Sequence, residues 1–154
     1  MELIYKKADI TDIELLTTTR IEVLRAANNL SNEIDMTEVE NQSYEYYKRA
    51  LTDGSHTAYL VFDGAIFVES GGVSYFQVMP TYHNPSGYKA YIMNMYTNPE
   101  YRRNGIAIKT LGLLVEDAKK RGVHAISLEA TDMGKPLYVK FGFVKMNDEM
   151  ELLD

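Results

Sequence analysis

The 154-residue chain contains no cysteine, which removes disulfides, thiolate metal sites and cysteine nucleophiles in one step. Its three histidines, His56, His83 and His124, are scattered without the spacing of a ligand set, so no metal is expected. No apolar run approaches the roughly 18 residues of a membrane span. The first residues, Met1-Glu2-Leu3-Ile4-Tyr5-Lys6-Lys7, lack the basic and then apolar character of a secretion signal. A cytoplasmic protein with no membrane partner is the default expectation. Positive charge is also in deficit, with 16 lysines and arginines against 22 acids and a formal net charge of -6. That balance opposes non-specific attraction to phosphate backbones, and no nucleic-acid partner is expected. There is neither an internal repeat nor a low-complexity tract.

What is present is the composition of an ordinary folded domain, with 45% hydrophobic and 25% charged residues. The length suits one unit, residues 1–154, with enough chain to bury a core. Leu3 to Lys6 reads as a first strand. Thr11 and Glu14 have capping-box spacing, flanked by Ile10 and Leu15 as a hydrophobic staple, which predicts a helix from about Thr11. Its stripe of Ile13, Leu16, Val23, Leu24 and Ala27 runs to a break at Asn28-Asn29. Thr37 and Glu40 repeat the capping-box spacing ahead of a second helix that ends near Leu51.

The pattern then changes to strands. Tyr59 to Phe62, Asp63-Gly64 and Ala65 to Val68 form a hairpin signal, because Asp-Gly accepts the positive φ of a tight turn. Gly71-Gly72 marks a bulge or a close backbone approach, and Met79 to Gly87 reads as an irregular loop. A strand follows over Tyr88 to Thr97, then an amphipathic helix from about Gly105 to Arg121, capped by Gly122. Val123 to Leu128 is an apolar strand, Met133 to Lys140 a short helix, and Val144 to Leu152 a closing strand or pair of strands. The strand-helix-strand unit requires a parallel pairing, so the sheet is mixed.

Arg102-Arg103-Asn104-Gly105-Ile106-Ala107 lies between a strand and a helix, where unpaired backbone amides and the positive helix end suit a diphosphate. Gly105 permits close approach, and Ala107 keeps a side chain out of the way. Taken alone, the hexapeptide reads equally well as an ordinary surface turn.

In context it resembles the signature of the GNAT (Gcn5-related N-acetyltransferase) superfamily, Arg or Gln, two residues, Gly, one residue, then Gly or Ala, met by Arg102, Gly105 and Ala107. Pro136-Leu137-Tyr138-Val139-Lys140-Phe141-Gly142-Phe143 is similar to a second family mark, Leu-Tyr-Glu-Lys-Leu-Gly-Phe. The resemblance implies an α/β (α+β) fold with a mixed, mostly antiparallel sheet flanked by helices, in the order β-α-α-β-β-β-α-β-α-β. It implies a single acetyltransferase domain with acetyl-CoA as acyl donor and a small-molecule or peptide amine as acceptor; a homodimer is left open. By the same resemblance, the backbone of Met95, Tyr96 and Thr97 binds the pantetheine arm. Arg102, Arg103, Asn104, Gly105, Ile106 and Ala107 hold the diphosphate, and Tyr138 gives a proton to the departing thiolate.

Many family members carry a glutamate on the fourth strand, but here it reads Tyr91-Ile92-Met93-Asn94-Met95-Tyr96. Glu69, Glu129 and His83 remain as candidate bases, acting through water held by Asn94. By family analogy the acceptor falls to the region holding Asn28, Asn29, Glu33, Asp35, Tyr44, Tyr46, Tyr47, His83 and Asn84, an acidic and aromatic set suited to a cationic amine. The missing carboxylate also supports an alternative, a non-catalytic acyl-CoA sensor of the same fold.

Overall fold

The computed structural model describes residues 2–154. It contains β1 (Leu3–Lys7), α1 (Ile13–Ala27), α2 (Thr37–Asp53), β2 (His56–Asp63), β3 (Ile66–Gln77), β4 (Tyr88–Thr97), α3 (Ile106–Lys120), β5 (Ala125–Leu128) and α4 (Lys135–Phe141). The strands form one sheet in chain order, β1 to β5. Every pairing is antiparallel except β4 with β5, which the α3 crossover makes parallel. The mixed sheet expected from the sequence is therefore present, with its parallel pair at one edge.

Strand alternation divides the core in two. From β2, Ala58 and Leu60 pack with Ile13, Leu16 and Tyr47 of α1 and α2. On the other face, Val73, Ala90 and Ile92 pack with Leu111, Leu114 and Ala118 of α3. Leu16, Leu60, Leu111 and Leu114 are fully buried, each contributing about 1.5–3 kcal/mol. Asp117 fastens α3 to the sheet, accepting from Thr57 at 2.9 Å and Tyr75 at 2.5 Å and pairing with Arg121 at 3.2 Å. That anchorage fixes the helix whose N-terminus faces the site.

Three local expectations are corrected. Neither threonine capping box forms, because an aspartate two residues upstream takes each threonine first. Asp9 accepts from the Thr11 amide and hydroxyl, and Asp35 does the same for Thr37; a carboxylate is the stronger acceptor. A short 3₁₀ turn, Ile10–Asp12, consequently precedes α1. In the hairpin, Asp63 pairs with Ile66, so the turn residues are Gly64-Ala65. Gly64 takes the positive φ, 59°, at the first central position of the turn.

The third correction is the closing strand. Residues 143–154 follow α4 without regular structure, and Val144, Met150 and Leu152 are exposed. Their apolar character suggested a strand, but Asn147-Asp148-Glu149 interrupts it. The neighbouring β5 is only four residues long, a short template for further pairing.

Candidate active site

The site begins where two paired strands part. β4 and β5 are in register from Lys89 opposite Ala125 to Ile92 opposite Leu128. β5 then ends while β4 continues to Thr97, leaving the Met93–Thr97 edge without a strand neighbour on that side.

On its other side β4 bulges. Gly72 pairs with Met93 and Ser70 with Tyr96, so Asn94 and Met95 together face one residue of β3. Asn94 sits at φ 60°, in the left-handed region that asparagine tolerates better than most residues. Its carbonyl accepts from Ser70 Oγ at 2.8 Å. The glycines of β3 follow from this crowding: a Cβ on Gly71 would lie 2.7 Å from Met95 Sδ, and one on Gly72 would lie 2.8 Å from His56 Nε2.

A cleft of about 520 Å³ opens along the free edge of β4. Met95, Tyr96 and Thr97 form one wall, and Arg102, Arg103, Gly105, Ile106 and Ala107 form its end. Arg103 and Gly105 both have positive φ, 67° and 74°, which turns the chain sharply into α3. A Cβ built on Gly105 meets nothing within 4 Å, so that position borders open space. The first amides of α3 have no partner within the helix and carry its positive end. Asn104 is the exception among the anticipated loop residues. It does not line the cleft, and its side chain donates to the carbonyls of Tyr101 and Arg102 at 2.9 and 3.2 Å, pinning the turn.

Tyr138 of α4 reaches the opposite wall, 8% exposed and edge-on to Phe143. Burial, then the nearby Glu69, raises its hydroxyl above the ordinary phenol pKa. Glu69 lies fully buried in the same cleft wall, opposite Thr97 on β3. The Thr97 hydroxyl donates to its Oε2, while Oε1 has no partner. Thr110 of α3 is near enough to favour the charged carboxylate but makes no geometric hydrogen bond. Desolvation outweighs both hydroxyls and pushes Glu69 up to about 8.

A second pocket, about 230 Å³, lies on the α1 and α2 face of the bulge. Arg20, Tyr46, Tyr47, His56, Ser74 and Asn94 line it, with Gln42 at its exposed rim. Arg20 donates to Asn94 Oδ1 at 3.0 Å. The Tyr46 hydroxyl lies 2.8 Å from His56 Nδ1 and 2.5 Å from Ser74 Oγ. Burial, with Arg20 and Arg121 nearby, drops His56 to about 4 and keeps the imidazole neutral. The two pockets thus share a boundary on consecutive residues of β4, Asn94 lining one and Met95 the other.

Of the candidate bases, only Glu69 reaches either pocket; Glu129 and His83 are exposed and line neither. Of the residues anticipated for an acceptor, only Tyr46 and Tyr47 line the second pocket, while Asn28, Asn29, Glu33 and Asp35 are exposed elsewhere. Arg20, His56 and Ser74 were not singled out for the site by sequence, because nothing in their spacing shows that α1, β2 and β3 converge there. The sole local hint was Gly71-Gly72, whose close approach proves to be partly to His56.

The family model of the acetyltransferase (GNAT) family matches residues 23–143. The chain belongs to the GNAT family. A predicted acetyltransferase from Clostridium acetobutylicum, crystallised with acetyl-CoA, is 33% identical and superposes with a TM-score of 0.90 over 99% of this chain and 96% of that one. A GCN5-related N-acetyltransferase from Ralstonia eutropha gives 23% identity and a TM-score of 0.82, covering 99% of each chain. The glucosamine-6-phosphate N-acetyltransferase of Arabidopsis thaliana gives 13% and 0.70, covering 99% of each; these two likenesses establish the GNAT fold alone. No curated protein matches the chain. Within the GNAT fold, Arg102, Gly105 and Ala107 of the first signature occupy the loop and first turn of α3, and Pro136 to Phe143 of the second run along α4 and just past it. Among the described residues, no helix is long and apolar enough to cross a membrane.

Proposed function

We propose that this GNAT protein transfers the acetyl group of acetyl-CoA to a primary amine by direct attack within a ternary complex. The observation that carries the reading is the meeting of two pockets at Asn94-Met95, one along the free strand edge and one on the opposite face of the bulge. Such an arrangement sets two molecules against consecutive residues of one strand, which converts a bimolecular encounter into a positioned one.

The larger cleft suits a long donor with an anionic end. The free edge of Met95, Tyr96 and Thr97 offers main-chain groups to the amide-bearing arm as an added strand would. The loop from Arg102 to Ala107 and the α3 N-terminus offer amides and positive charge to a diphosphate; Asn104 serves there by holding the turn. Acetyl-CoA supplies the activated acyl group, and the protein positions it and manages protons. The amine nitrogen bonds to the acyl carbon as the carbon–sulfur bond breaks. Tyr138 is assigned to protonate the leaving thiolate; its hydroxyl, like any phenol, carries its proton at neutral pH.

No carboxylate lines the second pocket, so the amine's proton is not taken there by an acid side chain. An alkylamine of pKa about 10.4 is almost wholly protonated at pH 7. A half-buried pocket walled by a guanidinium and a neutral imidazole disfavours the ammonium by desolvation and by like charge. The amine therefore reaches the thioester neutral, having lost its proton to water at the rim. Glu69 stands in the donor cleft on the α3 side and is not assigned this task.

Calorimetric titration with acetyl-CoA, with CoA and ATP as controls, followed by thiol release in the presence of amines, tests the reading. Saturable binding with amine-dependent thiol release is expected. Binding without release to any amine would favour the acyl-CoA sensor, and no binding by folded protein would refute both.

A further inference from the structure

The second pocket carries charge of one sign only. Arg20 enters it from α1 with its guanidinium half-buried. No carboxylate lies within ion-pair distance of it among the described residues. Its one hydrogen bond to a side chain is to the neutral amide of Asn94. Around it stand the hydroxyls of Tyr46, Tyr47 and Ser74 and the neutral ring of His56. A desolvated cation facing only neutral dipoles is an incomplete pair, and it is notable in a chain whose net charge is -6. The acids expected to receive a cationic acceptor, Glu33 and Asp35, lie on the exposed segment before α2 and line neither pocket.

Resting on the acetyl-transfer reading, we propose that the acceptor is a small amine that also bears a carboxylate, amino-acid-like in size, with Arg20 as the carboxylate's partner. A planar guanidinium is suited to a carboxylate through paired N–H donors, and Nη1 is already oriented by Asn94. At about 230 Å³ the pocket falls below the roughly 300–1,000 Å³ of sites for drug-sized ligands, which favours a small acceptor. Binding a carboxylate here would neutralise the guanidinium. A dicationic or polycationic amine would add repulsion to the desolvation it already meets.

The test is a matched panel in which each amino acid is paired with its decarboxylated amine, for example phenylalanine with phenethylamine and lysine with cadaverine. Acetyl transfer is read as thiol release and confirmed by product mass. The wild type is expected to favour the carboxylated member at least about tenfold in kcat/KM, the effect of roughly 1.4 kcal/mol. Arg20→Met should collapse that ratio toward one while leaving acetyl-CoA affinity within about threefold, and Arg20→Lys should retain part of the preference. A merely structural role for Arg20 would lower both members together and leave the ratio intact. That result, or a preference for the decarboxylated amines, would overturn the proposal while acetyl transfer stands. Failure to bind acetyl-CoA would instead overturn the acetyl-transfer reading, and the proposal with it.

Discussion

Arg20 Nη1 donates to Asn94 Oδ1 across 3.0 Å, tying α1 to the residue of β4 whose backbone lies at φ 60°. The bond joins the α1 face of the sheet to the bulge whose consecutive residues line the two pockets. Replacing Asn94 tests bulge and bond separately. Asn94→Val places a β-branched residue in left-handed backbone and is expected to cost about 1–2 kcal/mol, with loss of turnover. Asn94→Gly accepts the φ without strain and should stay within about 1 kcal/mol of the parent, yet lose part of the rate with carboxylated amines because Arg20 is no longer oriented. Urea unfolding and thiol release separate the two effects; equal stability of both variants would show that the bulge is not set by this residue.

Tyr138→Phe keeps the ring that packs on Phe143 and removes only the hydroxyl. If that hydroxyl protonates the leaving thiolate, kcat falls by about 10²–10⁴ while the calorimetric affinity for acetyl-CoA changes little. Equal losses in affinity and rate would reassign Tyr138 to holding the donor.

Gly105→Val probes the proposed diphosphate end. The glycine lies at φ 74° with open space where a Cβ would stand, so valine meets backbone strain of about 1–2 kcal/mol and projects toward the cleft. Acetyl-CoA affinity is expected to fall at least about tenfold, equivalent to roughly 1.4 kcal/mol. Unchanged affinity in a folded variant would remove the loop from the binding site.

The larger cleft was legible in the sequence because it is local. Arg102 to Ala107 is one contiguous turn, β4 is one contiguous strand, and the structure gathers Met95 to Thr97, the loop and Tyr138 around one cleft. The second pocket was not, because it is assembled from α1, α2, β2, β3 and β4, and the burial that neutralises His56 exists only after the sheet forms. The aspartates that displaced both capping boxes failed to stand out for a related reason. Asp9 and Thr11, like Asp35 and Thr37, compete with an equally plausible spacing, and acceptor strength rather than pattern decided it. The closing strand was misread from apolar residues alone, since pairing depends on a neighbour that β5 supplies for only four residues.

Glu69 gives the pH dependence its sign. Its carboxyl is raised from 4.5 to about 8, with desolvation the leading cause. Between those values the folded protein holds a proton that the unfolded chain has released, so this residue makes stability fall as pH rises from about 4.5 to about 8. Its contribution is intact below the unfolded value and lost above the folded one. Glu69→Gln fixes the neutral form in nearly the same shape. The variant is expected to match the parent near pH 4 and to exceed it by about 2 kcal/mol or more near pH 8, since each tenfold change in proton affinity is worth about 1.4 kcal/mol. Urea unfolding at several pH values measures the difference, and parallel profiles would show that the buried carboxyl is not held neutral. The same variant separates stability from chemistry. With the acceptor's proton leaving through the other pocket, acetyl transfer by Glu69→Gln should persist and keep its rise with pH toward the pKa of the free amine. Collapse of kcat at every pH, with acetyl-CoA affinity retained, would make Glu69 the base after all and move the proton's exit to the donor cleft.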